Sequence, residues 1–149
     1  MANLNKDILL GTAIGDALGV PVEFEHRQEL GKNPVVGMRE YGTHNQPKGT
    51  WSDDTSLALC LAESLCKGYD LSEIGNNFVK WYYEGYWTPH GRVFDVGVTT
   101  ARAISYLQSG CKPELAFRQK EMVRLLLSRG ADGNIRDNEG LQPIHYVAR

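Results

Sequence analysis

The chain is poor in cysteine, in charge of one sign and in long apolar runs, and each shortage removes a class of protein. Three cysteines, Cys60, Cys66 and Cys111, are an odd number, and two of them fall inside an apolar helical pattern rather than at metal-ligand spacing. That excludes a disulfide framework and leads us to expect a reducing, cytoplasmic setting, with host-directed secretion as the alternative. Sixteen Lys and Arg against 18 Asp and Glu leave a formal charge of -2. So weak a field argues for neither nucleic acid nor a membrane surface as partner. The first apolar stretch, Ile8 to Val22, lacks a basic start and is broken by Asp16 and by glycines, so it reads as neither signal peptide nor membrane span. Strand-type alternation does not persist anywhere. What remains is an ordinary globular composition, with 42% hydrophobic and 23% charged residues in 149, enough for one domain with its own core.

Helical spacing dominates. Leu4 to Leu18 repeats apolar residues at Leu4, Ile8, Leu9 and Leu18, with Gly11, Gly15 and Gly19 every four residues along one face. A glycine costs roughly 1 kcal/mol against alanine in a helix interior, so three at this spacing imply close approach of a neighbour or a ligand. Packing is the plainer explanation. Pro21 stops this helix, and residues 20–50 read as a long loop. Ser52 and the acidic pair Asp53-Asp54 then open a second helix, with Leu57, Leu61 and Leu65 on one face. A third starts after Ser72, taken as its N-cap, and turns Ile74, Phe78, Trp81 and Tyr82 inward before Gly85. After an irregular stretch from Trp87 to Gly97, a fourth runs from about Thr99 to Gln108 with Ala101, Ile104 and Leu107 inside.

From Pro113 the character changes. Met122-Val123-Arg124-Leu125-Leu126-Leu127 leads into Gly130-Ala131-Asp132, and Gln142-Pro143-Ile144-His145-Tyr146-Val147-Ala148 closes the chain. This order resembles the second helix of an ankyrin repeat, its connecting turn and the start of the next repeat. The expected division is therefore a helical domain over 1–112 and an ankyrin-like helix-turn-helix segment over 113–149. Its acidic residues, Asp132, Asp137 and Glu139, belong to the turn and read as exposed.

Carboxylates carry the chemistry. Asp16 with Glu23, Asp53 with Asp54, and Asp95 each lie at a helix end or in a glycine-rich loop. Hard divalent cations need clustered oxygens of this kind. A capping Ser52 followed by acidic residues in a first turn also accounts for the pair with no metal at all, through the helix dipole. Both readings stand on these residues alone.

Four segments decide between them by resemblance. Gly11-Thr12-Ala13-Ile14-Gly15-Asp16-Ala17-Leu18-Gly19, Val22-Glu23-Phe24, Trp51-Ser52-Asp53-Asp54-Thr55 and Gly91-Arg92-Val93-Phe94-Asp95-Val96-Gly97-Val98-Thr99-Thr100 together resemble, in order, the ADP-ribosylglycohydrolase family. The resemblance implies an all-α fold, part of an orthogonal helical bundle, holding two Mg2+ or Mn2+ ions and releasing ADP-ribose from a modified acceptor. It implies Ser52, Asp53 and Asp54 as metal ligands, with serine where the family more often has threonine. It implies Glu23 beside the ribose and metals, and Asp95 near the scissile bond, as catalytic residues. Asp16 is expected to brace a neighbouring loop. The family's later Asn-Gly-Ser and Asp-x-Asp-Thr segments have no counterpart here, so the resemblance implies an incomplete or degenerate glycohydrolase. The partners it implies are an ADP-ribosylated protein or ADP-ribose. A non-catalytic alternative is an interaction module whose ankyrin-like end takes a protein partner, and the open ends of both segments also suit pairing with a second copy.

The remaining conspicuous residues have plainer readings. Trp81, Tyr82, Tyr83, Tyr86 and Trp87 read as core. His44 and His90 read as isolated loop histidines without ligand spacing, and His145 as part of the ankyrin-like turn.

Overall fold

The computed structural model describes residues 4–113, and every regular element among them is a helix. Beyond Pro113, the segment expected to be ankyrin-like, with His145 and Asp132, Asp137 and Glu139, falls outside the described residues. Helix α1 spans Leu4–Gly19 and runs into a 3-10 turn, Val20–Val22. Short α2 follows at Arg27–Lys32, then α3 at Asp53–Lys67, α4 at Leu71–Glu84 and α5 at Val98–Gln108. They pack in series, α1 on α3, α3 on α4 and α4 on α5. No helix among the described residues is long and apolar enough to cross a membrane.

The core is small. Cys60 of α3, Trp81 of α4 and Ile104 of α5 are fully buried together, with Leu57, Phe78, Tyr82 and Val93 around them. Burying Trp81 and Ile104 stabilises the stack by about 1.5–3 kcal/mol each. The inner face of α3 differs from the leucine face expected for it. Leu61 and Leu65 are exposed, and Ser56, Cys60 and Ser64 face inward. These small side chains let α3 and α4 approach closely, and the polar groups are satisfied across the contact: Asn77 Nδ2 donates to Ser64 Oγ at 2.9 Å, and Ser64 Oγ donates to the Cys60 carbonyl at 3.2 Å. Burial, together with the charge of Glu63, pushes the Cys60 thiol up to about 12, consistent with an inert packing role.

Helix ends explain the boundaries. The N-cap of α4 is Asp70, two residues before the expected Ser72, and its carboxylate accepts from the Ser72 and Glu73 amides. At the other end Gly85 adopts φ 72°, and a Cβ there would collide with the Gly91 carbonyl. Only glycine lets the loop 86–97 fold back against α4 so tightly. Glu63 then pins that loop, accepting from Tyr86 Oη at 2.8 Å and Trp87 Nε1 at 2.9 Å. These two hydrogen bonds hold its carboxyl below the ordinary range, the Trp87 contact contributing most. The aromatic cluster is therefore only partly core: Trp81 is buried, whereas Tyr83 and Trp87 are exposed.

Candidate active site

Three loops meet at the C-terminal end of α1 and the N-terminal end of α3. Asp16, on the last turn of α1, sits under the start of α3. Its Oδ1 accepts from the Ser52 hydroxyl at 2.7 Å, and its Oδ2 from the Thr55 amide at 3.0 Å and the Thr55 hydroxyl at 2.6 Å. The Ser52 amide donates to the same carboxylate at 2.9 Å. Asp16 thus caps α3 from another helix, as a bracing role requires. Ser52 stands at the N-cap position yet makes no side-chain cap bond of its own, because its hydroxyl proton goes to Asp16. The lone pairs of that oxygen remain available as acceptors.

Glycine at a contact point sets the second loop. A Cβ at Gly42 would run into the Pro21 carbonyl, and the neighbouring Thr43 amide donates to that carbonyl at 3.0 Å. The close approach carries Thr43 and His44 onto the segment around Glu23. Thr43 Oγ1 donates to the Glu23 carbonyl at 2.6 Å, and His44 Nε2 lies 2.6 Å from Glu23 Oε2. The same nitrogen is 3.5 Å from Asp95 Oδ2 in the third loop. His44 is therefore not isolated, contrary to the expectation for it. The Glu23, His44 and Asp95 ligand atoms all lie within 4.8 Å of one another. His90 also has a partner, Thr50 Oγ1 at 2.9 Å, which ties the approach to α3 to loop 86–97.

All five residues expected at the site line one cavity of about 610 Å3: Glu23 from the turn after α1, Ser52, Asp53 and Asp54 from the start of α3, and Asp95 from the loop before α5. Asp16, Thr12, Gly15 and Gly19 of α1 complete the wall. The glycine face is consequently open: a Cβ at Gly11, Gly15 or Gly19 would meet nothing within 4 Å among the described residues. Close packing was the expected reason for these glycines, and for Gly15 and Gly19 the cavity replaces it.

The electrostatics suit a cation. Burial, and then the negative charges of Asp54 and Asp95, hold the Asp53 carboxyl above the ordinary carboxylate range. Burial and a hydrogen bond with Asp95 raise Glu23 as well, against the opposing pull of His44. Crowded carboxylates that resist ionisation are what a divalent ion relieves, and oxygen donors suit a hard cation. Two residues beside the site hold left-handed backbone, Phe24 at φ 63° and Asp95 at φ 48°. For residues other than glycine such conformations cost roughly 1–3 kcal/mol and gather where function over-determines the geometry.

The ADP-ribosylglycohydrolase family model matches residues 5–141. The chain belongs to the ADP-ribosylglycohydrolase family. The match includes residues 113–141, most of the segment expected to be ankyrin-like. Similar proteins include an ADP-ribosylarginine hydrolase of Serratia proteamaculans, 43% identical over 108 residues, which are 70% of this chain and 29% of that protein. A second, from Pseudomonas putida, is 41% identical over 70% of this chain and 28% of its own length. The ADP-ribosyl-[dinitrogen reductase] glycohydrolase of Rhodospirillum rubrum is 34% identical over 68% of this chain and 34% of its own length. The chain thus spans about a third or less of the length of these family members.

Proposed function

We propose that this chain is the metal-binding and ribose-facing portion of a glycohydrolase that cleaves the bond between ADP-ribose and an arginine side chain of a modified protein. The observation that carries the reading is the convergence of Glu23, Ser52, Asp53, Asp54 and Asp95, from three distant segments, on a single cavity. Arginine as the acceptor is supported by the two relatives above 40% identity, both ADP-ribosylarginine hydrolases.

The residues fit the chemistry. In hydrolysis the bond from the anomeric carbon to the acceptor nitrogen breaks, water oxygen bonds to that carbon, and the leaving nitrogen takes up a proton. Positive charge develops on the ribose ring, and the carboxylate of Asp95 stabilises it from the loop before α5. Glu23, with its carboxyl raised, is suited to hold a water molecule or a ribose hydroxyl and to accept a proton from it. Ser52, Asp53 and Asp54 would hold Mg2+ or Mn2+. Such an ion, when bound, fixes the ribose hydroxyls and lowers the cost of ionising water. Three donors from one turn do not fill an octahedral shell, so water, ADP-ribose or other protein groups complete it.

The test is release of ADP-ribose from an arginine-modified protein, with a serine-modified protein as control. Mg2+-dependent release from the first alone is expected, and Asp95→Asn should slow it by roughly 10²–10⁴-fold. Release that survives metal chelation, or is indifferent to Asp95, overturns the reading.

A further inference from the structure

His44 has no part in the glycohydrolase chemistry above, yet it contacts two of its carboxylates. We propose that His44 is a positioning residue, an imidazole clamp that holds the Glu23 and Asp95 carboxylates at one fixed separation behind the wall of the ADP-ribosyl cavity. The inference rests on the reading of that cavity as the site of glycosidic cleavage.

Four observations carry it. A single nitrogen, Nε2, faces both carboxylates, at 2.6 Å from Glu23 Oε2 and 3.5 Å from Asp95 Oδ2. The side chain is only 14% exposed, so solvent cannot easily replace it in either contact. Its ring lies near those of Phe94 and the exposed Phe24, with centroids 5.6 and 6.0 Å away, and these phenylalanines are the chain neighbours of Asp95 and Glu23. The imidazole therefore meets each loop at its acid and at the adjacent ring. Finally, Glu23 and Asp95 line the cavity whereas His44 is not among its lining residues, so it acts through the two acids and not on the ligand.

Two carboxylates this close repel each other. An N–H that bonds Glu23 at 2.6 Å and stands 3.5 Å from Asp95 offsets the repulsion and fixes which oxygens face the ribose. Left-handed backbone at Phe24 and Asp95 flanks this contact on both loops.

The experiment compares His44→Leu and His44→Gln with wild type in the full chain. It measures kcat and KM for release of ADP-ribose from an arginine-modified protein, calorimetric affinity for ADP-ribose, and Tm. Misplacement of a catalytic group by about 1 Å costs on the order of 10²-fold, so His44→Leu should lose about that much kcat with ADP-ribose affinity nearly unchanged. His44→Gln, which keeps an N–H donor, should recover part of the loss at a Tm close to wild type. Unchanged kcat in His44→Leu overturns the proposal. So does a loss that excess Mn2+ restores, which would make His44 a metal ligand. A proton NMR spectrum separates this inference from the activity on which it rests. A downfield imidazole N–H resonance, absent in His44→Gln and shifted in Glu23→Gln, upholds the clamp geometry even if wild type hydrolyses nothing. Its absence from wild type overturns the clamp whatever the activity.

Discussion

Asp16 and Thr55 are joined twice, the Thr55 amide and hydroxyl both donating to Asp16 Oδ2 at 3.0 and 2.6 Å. Through this link α1 sets the position of the first turn of α3, where Asp53 and Asp54 stand. Asp16→Ala would strand the Ser52 and Thr55 amides in a partly buried place, at roughly 1–3 kcal/mol for each unsatisfied donor. We expect urea unfolding to record a loss of roughly 3 kcal/mol, and Asp16→Asn, which keeps one acceptor, to lose less. Equal stability of Asp16→Ala and wild type would mean that the cap is dispensable.

Gly11 and Gly15 share a helix face but not a role. Neither has an atom within 4 Å of an added Cβ, and of the two only Gly15 lines the cavity. Alanine at either position should stabilise α1 by roughly 0.5–1 kcal/mol. Gly15→Ala is expected to weaken ADP-ribose binding by roughly tenfold, as a methyl group intruding on a fitted ligand does, while Gly11→Ala leaves binding unchanged. Thermal melts and calorimetry on both variants check the pair. Equal affinities would remove the α1 glycines from the binding wall.

Asp53 makes the fold sensitive to pH in a defined direction. Its carboxyl is raised, first by burial and then by Asp54 and Asp95, so it holds its proton more tightly folded than unfolded. Its contribution to stability is therefore present below the ordinary carboxylate range and is lost as pH rises through the raised value. Asp53→Asn escapes that loss. The variant should melt higher than wild type near neutral pH, and the difference should shrink as pH falls through the raised value. Mg2+ should raise the Tm of wild type and leave that of the variant unmoved. A variant that melts lower near neutral pH contradicts the crowding of these carboxylates.

The helices were legible because burial writes a 3.6-residue period into the chain. Four of the five α-helices begin and end within a few residues of where Leu4 to Leu18, Ser52 onward, Ser72 onward and Thr99 to Gln108 place them. Short α2 carries too few residues for a period to emerge, and its residues include no fully buried side chain. The inner face of α3 differs from the expected leucine face because Ser56 and Ser64 are buried by hydrogen bonding rather than by apolarity, Ser56 Oγ donating to the Ser52 carbonyl and Ser64 Oγ accepting from Asn77 of α4. Asp70 and Ser72 are both good capping residues, and only the position of the first helical turn separates them. At the site, segment resemblance singled out Glu23, Ser52, Asp53, Asp54 and Asp95, and the fold brings these five to one cavity. His44 was not, because its partner Glu23 lies 21 residues away and the approach depends on a collision avoided at Gly42. No local pattern encodes that contact.

The proposed function requires a divalent-cation site at the Asp53-Asp54 turn that serves ADP-ribose. The most direct measurement is calorimetric titration of the chain with ADP-ribose, with and without Mg2+ or Mn2+, repeated on the double variant Asp53→Ala with Asp54→Ala. Binding should require the metal and disappear in the double variant. Binding that is indifferent to the metal, or that survives loss of both aspartates, would contradict it.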